Sequence, residues 1–268
     1  MDWVDELARL RGRGEAGVLL TVATVRGHAP REPGAKLVVS RDATWGTIGG
    51  GNAEASAIDR ARELLDDGAA GTELLTFRLN DRVATEHGVQ CCGGEMTVLV
   101  EPIRPRRVVA VFGLGHVGFE IAHVLARHEL RLVLVDSRAE ATLPERFAAL
   151  ATGPADLSIR HEAAPERVVA DLPAEATLLV LTHDHAEDFV LCDAALRHAS
   201  SGYIGLIGSN AKWQRFRSRL ADEGHTAEAI DRITCPIGIP DITAKDPASI
   251  AVAVAADLLA RRDAGVPR

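Results

Sequence analysis

The residue types best suited to metal or sulfur chemistry gather in one short stretch, His87-Gly-Val-Gln-Cys-Cys-Gly-Gly-Glu-Met96. Two adjacent thiols, Cys91 and Cys92, stand there in a glycine-rich turn ahead of an apolar run, Met96 to Val100. The thiolate is the form that binds soft metals or attacks sulfur, and backbone N–H groups exposed at Gly93 and Gly94 would lower its pKa. Vicinal cysteines do not suit one tetrahedral zinc, whose cysteine ligands are normally separated by a few residues. A one-sulfur ligand, a sulfur carrier or a redox thiol fits better. The competing reading is structural, since cysteine also packs as a small hydrophobe and paired glycines make tight turns.

Oxyanion chemistry has residues of its own. In Thr47-Ile-Gly-Gly-Gly-Asn-Ala-Glu54 a short strand runs through Gly49, Gly50 and Gly51 into a helix whose apolar face is Ala57, Ile58, Ala61, Leu64 and Leu65. Successive glycines let backbone N–H groups approach a ligand, and a helix start adds partial positive charge, which suits a phosphate. The turn lacks the Lys-Ser/Thr ending of a Walker loop, and it reads equally as a tight turn with Asn52 as N-cap. Gly205-Leu-Ile-Gly-Ser-Asn-Ala-Lys212 repeats the strand, glycine turn and helix, with Gly208, Ser209, Asn210 and Lys212 placed to close around an anion. The loop from Arg26 to Lys36 offers Arg31 and Lys36 as donors, or else its prolines and glycines are turn punctuation. At Thr182-His-Asp-His185 a strand ends where open α/β sheets bind ligands. His183 and His185 would share a face if the strand continued, as a metal-binding or acid–base pair, and His183 or Asp184 is placed as a ligand-site residue; alternatively the stretch is an N-cap and polar loop before a helix over 188–198. No order of Ser, His and Asp specifies a hydrolytic triad. Cys192 reads as structural and Cys235 as a secondary thiol.

The elements that must position these groups fall into two patterns. A helix over 2–12 and strands over 17–25, 37–40, 74–79 and 96–100 predict an α+β domain, residues 1–103, closed by the Pro- and Arg-bearing stretch Glu101 to Arg107. From residue 104 to 268 strands and helices alternate. Strand 108–112 leads into Gly113-Leu-Gly-His-Val-Gly118 and a helix over 119–128, and the next strand, 132–135, ends at Asp136. Gly113, Gly115 and Gly118, with His116 between them, follow a strand and open a helix, and an acid stands at the expected interval to accept from a ribose hydroxyl. Further strands over 158–161, 177–181 and 203–207 and a final helix over 248–259 predict a Rossmann-like, doubly wound parallel sheet, so the fold class is α/β. The tail from Arg261 reads as frayed.

A chain of 268 residues, 47% apolar, accommodates two cores. Its net charge of −8 argues against a broad nucleic-acid surface or a polybasic membrane footprint. Four cysteines without framework spacing, no signal-peptide pattern and no long apolar run lead to the expectation of a cytoplasmic protein.

Taken together, Ala29-Pro-Arg-Glu-Pro-Gly-Ala-Lys36, Ile48-Gly-Gly-Gly-Asn-Ala-Glu54, Cys91-Cys-Gly-Gly94, the turn Gly113 to Gly118, Tyr203-Ile-Gly-Leu-Ile-Gly-Ser209 and Pro236-Ile-Gly-Ile-Pro240 resemble the XdhC/CoxI family, and most of all its xanthine dehydrogenase accessory members. The resemblance spans nearly the whole chain. It implies a chaperone without turnover that binds the molybdenum cofactor (Mo-molybdopterin), holds it while a cysteine desulfurase replaces a Mo=O oxygen by sulfur, and delivers it to apo xanthine dehydrogenase. Molybdenum-cofactor biosynthesis proteins are then partners, and a homodimer would cover the cargo. Cys92 or Cys91 becomes the molybdenum contact, and the three glycine turns become candidate seats for the pterin's phosphate. Many relatives carry one cysteine before the paired glycines, where this chain has two; some carry a cysteine after the triple glycine, where this chain has Asn52. The alternative is an NAD(P)-dependent oxidoreductase built on the Rossmann unit, which leaves the two thiols idle.

Overall fold

Strand β1 (Gly17–Arg26) is buried on both faces over its first half because each face meets a different partner. Val18, Leu20 and Val22 enter one apolar cluster, and Leu19 enters another. In the computed structural model, which describes residues 2–68, 71–79, 94–198 and 202–264, β1 is the middle of a five-stranded antiparallel sheet. The order is β3-β2-β1-β5-β4, with β2 Lys36–Val39, β3 Thr44–Gly46, β4 Glu73–Arg78 and β5 Glu95–Ile103. Helix α2 (Gly51–Asp67) lays Ala53, Ala57, Ala61 and Leu64 on one face at helical spacing. Helix α1 (Trp3–Arg13) brings Leu10 against Leu19 and Val38 on the other.

Two strands of this sheet depart from the sequence reading. The short strand before the triple glycine is β3, which stops at Gly46, ahead of Thr47. Strand β5 does not end at Val100 but runs through Glu101-Pro102-Ile103, because Gly17 to Leu19 of β1 pair with it there. Beyond Val100 the neighbouring β4 has ended, and an open strand edge tolerates a proline that has no N–H to donate.

The chain divides into two compact units, Met1–Pro105 and Arg106–Arg268. The second holds six parallel strands in the order β8-β7-β6-β9-β10-β11, that is 3-2-1-4-5-6 within the unit. They are β6 Val108–Phe112, β7 Arg131–Asp136, β8 Asp156–His161, β9 Thr177–Val180, β10 Ile204–Leu206 and β11 Ile233–Thr234. Both faces are covered, so β6 is apolar throughout. Val108, Ala110 and Phe112 pack with α4 (Glu166–Val169), α5 (His185–Arg197) and α6 (Asn210–Asp222); Val109 and Val111 pack with α3 (His116–Leu125) and the last helix. That helix follows α7 (Ala227–Ile230) and is α8 (Pro247–Ala264). It continues through Arg261, which the sequence reading placed in a frayed tail: Arg261 donates to Asp257 at 2.9 Å, one turn back, and lies over the Tyr203 ring. Helices α3 and α5 start three residues earlier than their apolar periodicity shows, directly out of their loops. Among the described residues no helix is long and apolar enough to cross a membrane.

Candidate functional site

In the first unit three of the sequence motifs meet at one corner. Strand β1 delivers the backbone of Arg26 to His28, and Gly94 lies against it so closely that a Cβ there would fall 2.2 Å from the His28 carbonyl oxygen. The Leu79 N–H donates to the Gly94 carbonyl at 2.8 Å. Gly94 is the described end of the Cys-Cys-Gly-Gly motif; Cys91, Cys92 and Gly93 lie outside the described residues. A Cβ on Gly49 would fall 2.4 Å from Pro30 Cγ, so the triple-glycine turn packs on the loop that follows His28. That loop, with Pro30, Arg31 and Glu32, lines an open pocket of about 430 Å³.

The anion cradle at this corner is already filled from within. Glu54 Oε2 accepts from Thr47 Oγ1 at 2.5 Å, the Ile48 N–H at 2.9 Å and the Gly50 N–H at 3.0 Å, while Thr47 Oγ1 accepts from the Gly49 N–H at 3.0 Å. Burial pushes the Glu54 carboxyl up, but the Thr47 hydroxyl and these amides outweigh it and hold the group below its ordinary range. The expected phosphate turn at Gly49 to Gly51 therefore binds the chain's own carboxylate. Gly50, at φ +73°, is the N-cap, not Asn52, which sits buried inside the first turn of α2. Arg31 and Lys36 do not converge either. Lys36 donates to Thr21 Oγ1 at 2.9 Å and lies 5.2 Å from the centre of the Trp3 ring, with α1, whereas Arg31 is exposed on the pocket.

In the second unit the glycine turn after β6 divides its labour. Gly113 and Gly118 answer to the chain, since added Cβ atoms would meet the Leu181 oxygen at 2.3 Å and the Gly113 oxygen at 1.9 Å. Gly115 answers to nothing among the described residues, for a Cβ there has no neighbour within 4 Å. His116 follows it as the exposed first residue of α3. Asp136, buried at the end of β7, is committed: its oxygens accept from the Leu114 N–H at 2.7 Å and from the N–H, Nε and Nη2 of Arg138 at 2.9–3.0 Å. Burial raises this carboxyl, and the Arg138 guanidinium and the two amides more than reverse that. A ribose would have to share these oxygens with four donors. Beside them Ser137 Oγ donates to Glu187 at 2.7 Å, tying the end of β7 to α5.

The ends of β9 and β10 also come together. The strand stops at Val180 and His185 already begins α5, so His183 and His185 do not share a strand face; Asp184 caps the helix, accepting from the Ala186 N–H at 2.6 Å. Asp188, which the sequence reading did not single out, is fully buried and accepts from the Thr182 N–H at 2.9 Å, its hydroxyl at 2.8 Å and Lys212 Nζ at 2.5 Å. Lys212 also donates to the Ile207 carbonyl at 2.9 Å. The ammonium expected to face an anion is thus bound to a buried carboxylate, and Lys212 lines an open pocket together with His183, Gly208 and Ser209. Only the tertiary fold pairs these two residues, so sequence spacing carried no signal of it. Burial pushes the Cys235 thiol up to about 11 and the fully buried Cys192 thiol higher, which keeps both protonated near neutrality. Among the described residues no three His, Cys, Asp or Glu side chains gather as metal ligands.

An antiparallel α+β unit followed by a parallel sheet in the order 3-2-1-4-5-6 defines a two-part α/β protein with a Rossmann domain. Residues 109–258 match the XdhC Rossmann domain and residues 10–78 match the XdhC and CoxI family; the chain belongs to the XdhC/CoxI family. It is 28% identical over 261 residues to YqeB of Escherichia coli K12, covering 97% of this chain and 46% of that protein, so it spans about half of YqeB. It is 26% identical over a 280-residue alignment to the molybdenum cofactor insertion chaperone PaoD of the same organism, covering 93% of this chain and 84% of PaoD. Among solved structures, a Bacillus halodurans protein described as a xanthine dehydrogenase shares the fold over 99% of this chain and 97% of its own, at 17% identity and a TM-score of 0.50.

Proposed function

We propose that this protein is a molybdenum-cofactor chaperone, which carries the cofactor as cargo and inserts it into a molybdoenzyme. The observation that carries the reading is the similarity to the insertion chaperone PaoD along 93% of this chain. The geometry of the first unit supports it, because Gly94 anchors the end of the Cys-Cys-Gly-Gly motif against the Arg26–His28 backbone, next to the Pro30 and Gly49 turns. In the finer form of the proposal, Cys92 or Cys91 supplies a soft thiolate that ligates or shields molybdenum. A cysteine desulfurase exchanges an oxo ligand for sulfur while the cargo is held, the recipient is apo xanthine dehydrogenase, and the working form is a homodimer. Insertion is the direct test. Apo xanthine dehydrogenase given molybdenum cofactor should gain activity faster with this chain present than with albumin, and equal rates would count against the chaperone.

The nicotinamide-dependent alternative draws on the strand order and on the space over Gly115. It is weakened by Asp136, whose oxygens already serve Arg138 and Leu114. It predicts saturable NAD(H) binding that is lost in Gly115→Val.

A further inference from the structure

Between the ends of β9 and β10 the second unit has a pocket of about 290 Å³, just under the roughly 300–1,000 Å³ of drug-sized ligand sites. Thr182, His183 and His185 line it from the end of β9 and the start of α5, and Ile207, Gly208, Ser209, Lys212 and Arg215 from the end of β10 and the start of α6. Among the described residues none of its lining is acidic. Of the carboxylates at the start of α5, Asp184 accepts from the Ala186 N–H, Glu187 from Ser137 Oγ, and Asp188 from Lys212 and Thr182.

The donors, by contrast, are available. The imidazoles of His183 and His185 are exposed and have no hydrogen-bond partner among the described residues. Arg215 uses Nε on the Ala211 carbonyl at 3.3 Å and leaves both terminal amino groups without a partner among those residues. Ser209 Oγ accepts from the Lys212 N–H at 3.2 Å, so its own proton is free to be donated. The 13-residue helices α5 and α6 both start here, and the first N–H groups of a helix have no acceptor within it. Beneath them the buried Asp188–Lys212 pair joins α5 to α6 and also holds Thr182 and the Ile207 carbonyl, so the floor is fixed before any ligand arrives.

We propose that this pocket binds a dianionic phosphoryl group, either free phosphate or the terminal phosphate of a monoester. A carboxylate presents two oxygens; the guanidinium, two imidazoles, a hydroxyl and helix N–H groups outnumber them and match the three terminal oxygens of a phosphoryl group. The inference does not rest on the cargo reading and survives if molybdenum cofactor is not the cargo.

The test titrates inorganic phosphate, phenyl phosphate and acetate into the full chain by calorimetry, with amide chemical shifts as a position marker. Both phosphates should bind one to one, acetate at least tenfold more weakly. Arg215→Ala and the double variant His183→Gln/His185→Gln should each weaken phosphate binding about tenfold without moving the melting temperature, since all three side chains are exposed. Tighter phenyl phosphate binding would identify an ester ligand, and tighter inorganic phosphate binding the free ion; both support the site. Absence of saturable binding overturns it. So does binding that Arg215→Ala leaves intact and that shifts the amides of Gly115 and His116 in place of those of Asn210 and Ala211.

Discussion

Glu54 illustrates how a side chain can occupy a place the sequence marks for a ligand, and Asp188 how one can engage a donor the sequence marks for it. Glu54 fills the triple-glycine turn, and removing its charge should leave the Ile48 and Gly50 N–H groups poorly paired. Glu54→Ala should cost about 1–3 kcal/mol in urea unfolding, the usual penalty for buried donors left unmet. Because folding lowers this carboxyl's pKa, its contribution is fully present above the unfolded value of 4.5 and is lost as pH falls through the folded one. The stability gap between the wild type and Glu54→Gln should therefore narrow below about pH 4.5. Asp188 and Lys212 are a buried pair, so breaking it by Lys212→Met should cost about 3–5 kcal/mol, and Asp188→Leu in the same background should recover much of that. Equal destabilisation in the single and double variants would contradict a paired role.

At the scale of elements, the glycine turn after β6 makes two opposite demands. Gly118→Ala forces a Cβ onto the Gly113 carbonyl and should destabilise by about 1–3 kcal/mol or more, while Gly115→Ala should leave urea unfolding unchanged. Most elements were legible in the sequence because burial imposes a period: α2 shows its Ala57, Ala61, Leu64 stripe, and β6 its unbroken apolar run. Strands β3 and β11, of three and two residues, are too short to show a period. The start of α5 was hidden because its first residues, His185, Ala186 and Glu187, carry no large apolar side chain and are capped by Asp184, so apolar spacing begins only later. Candidate site residues were legible as types but not as directions. Lys36 and Lys212 read as anion donors, yet Trp3 with Thr21 and Asp188 with Ile207 turn them elsewhere, through contacts no linear spacing encodes.

At the scale of the whole molecule, a Rossmann-like parallel sheet was readable from alternating strands and helices with a glycine turn and a distant acid, and the structure has such a sheet, with β11 as a sixth strand beyond the five read. What such a unit binds was not readable, because a strand order specifies architecture and the ligand depends on individual groups such as Asp136. The chaperone reading places its chemistry on Cys91 and Cys92, which lie outside the described residues, and its most direct test is equilibrium binding. Molybdenum cofactor should be titrated into the wild type, Cys91→Ser and Cys92→Ser, with NAD(H) as a parallel ligand. The account predicts stoichiometric cofactor binding that collapses in one of the two variants. No cofactor binding by the wild type, together with tight binding of NAD(H), would contradict it.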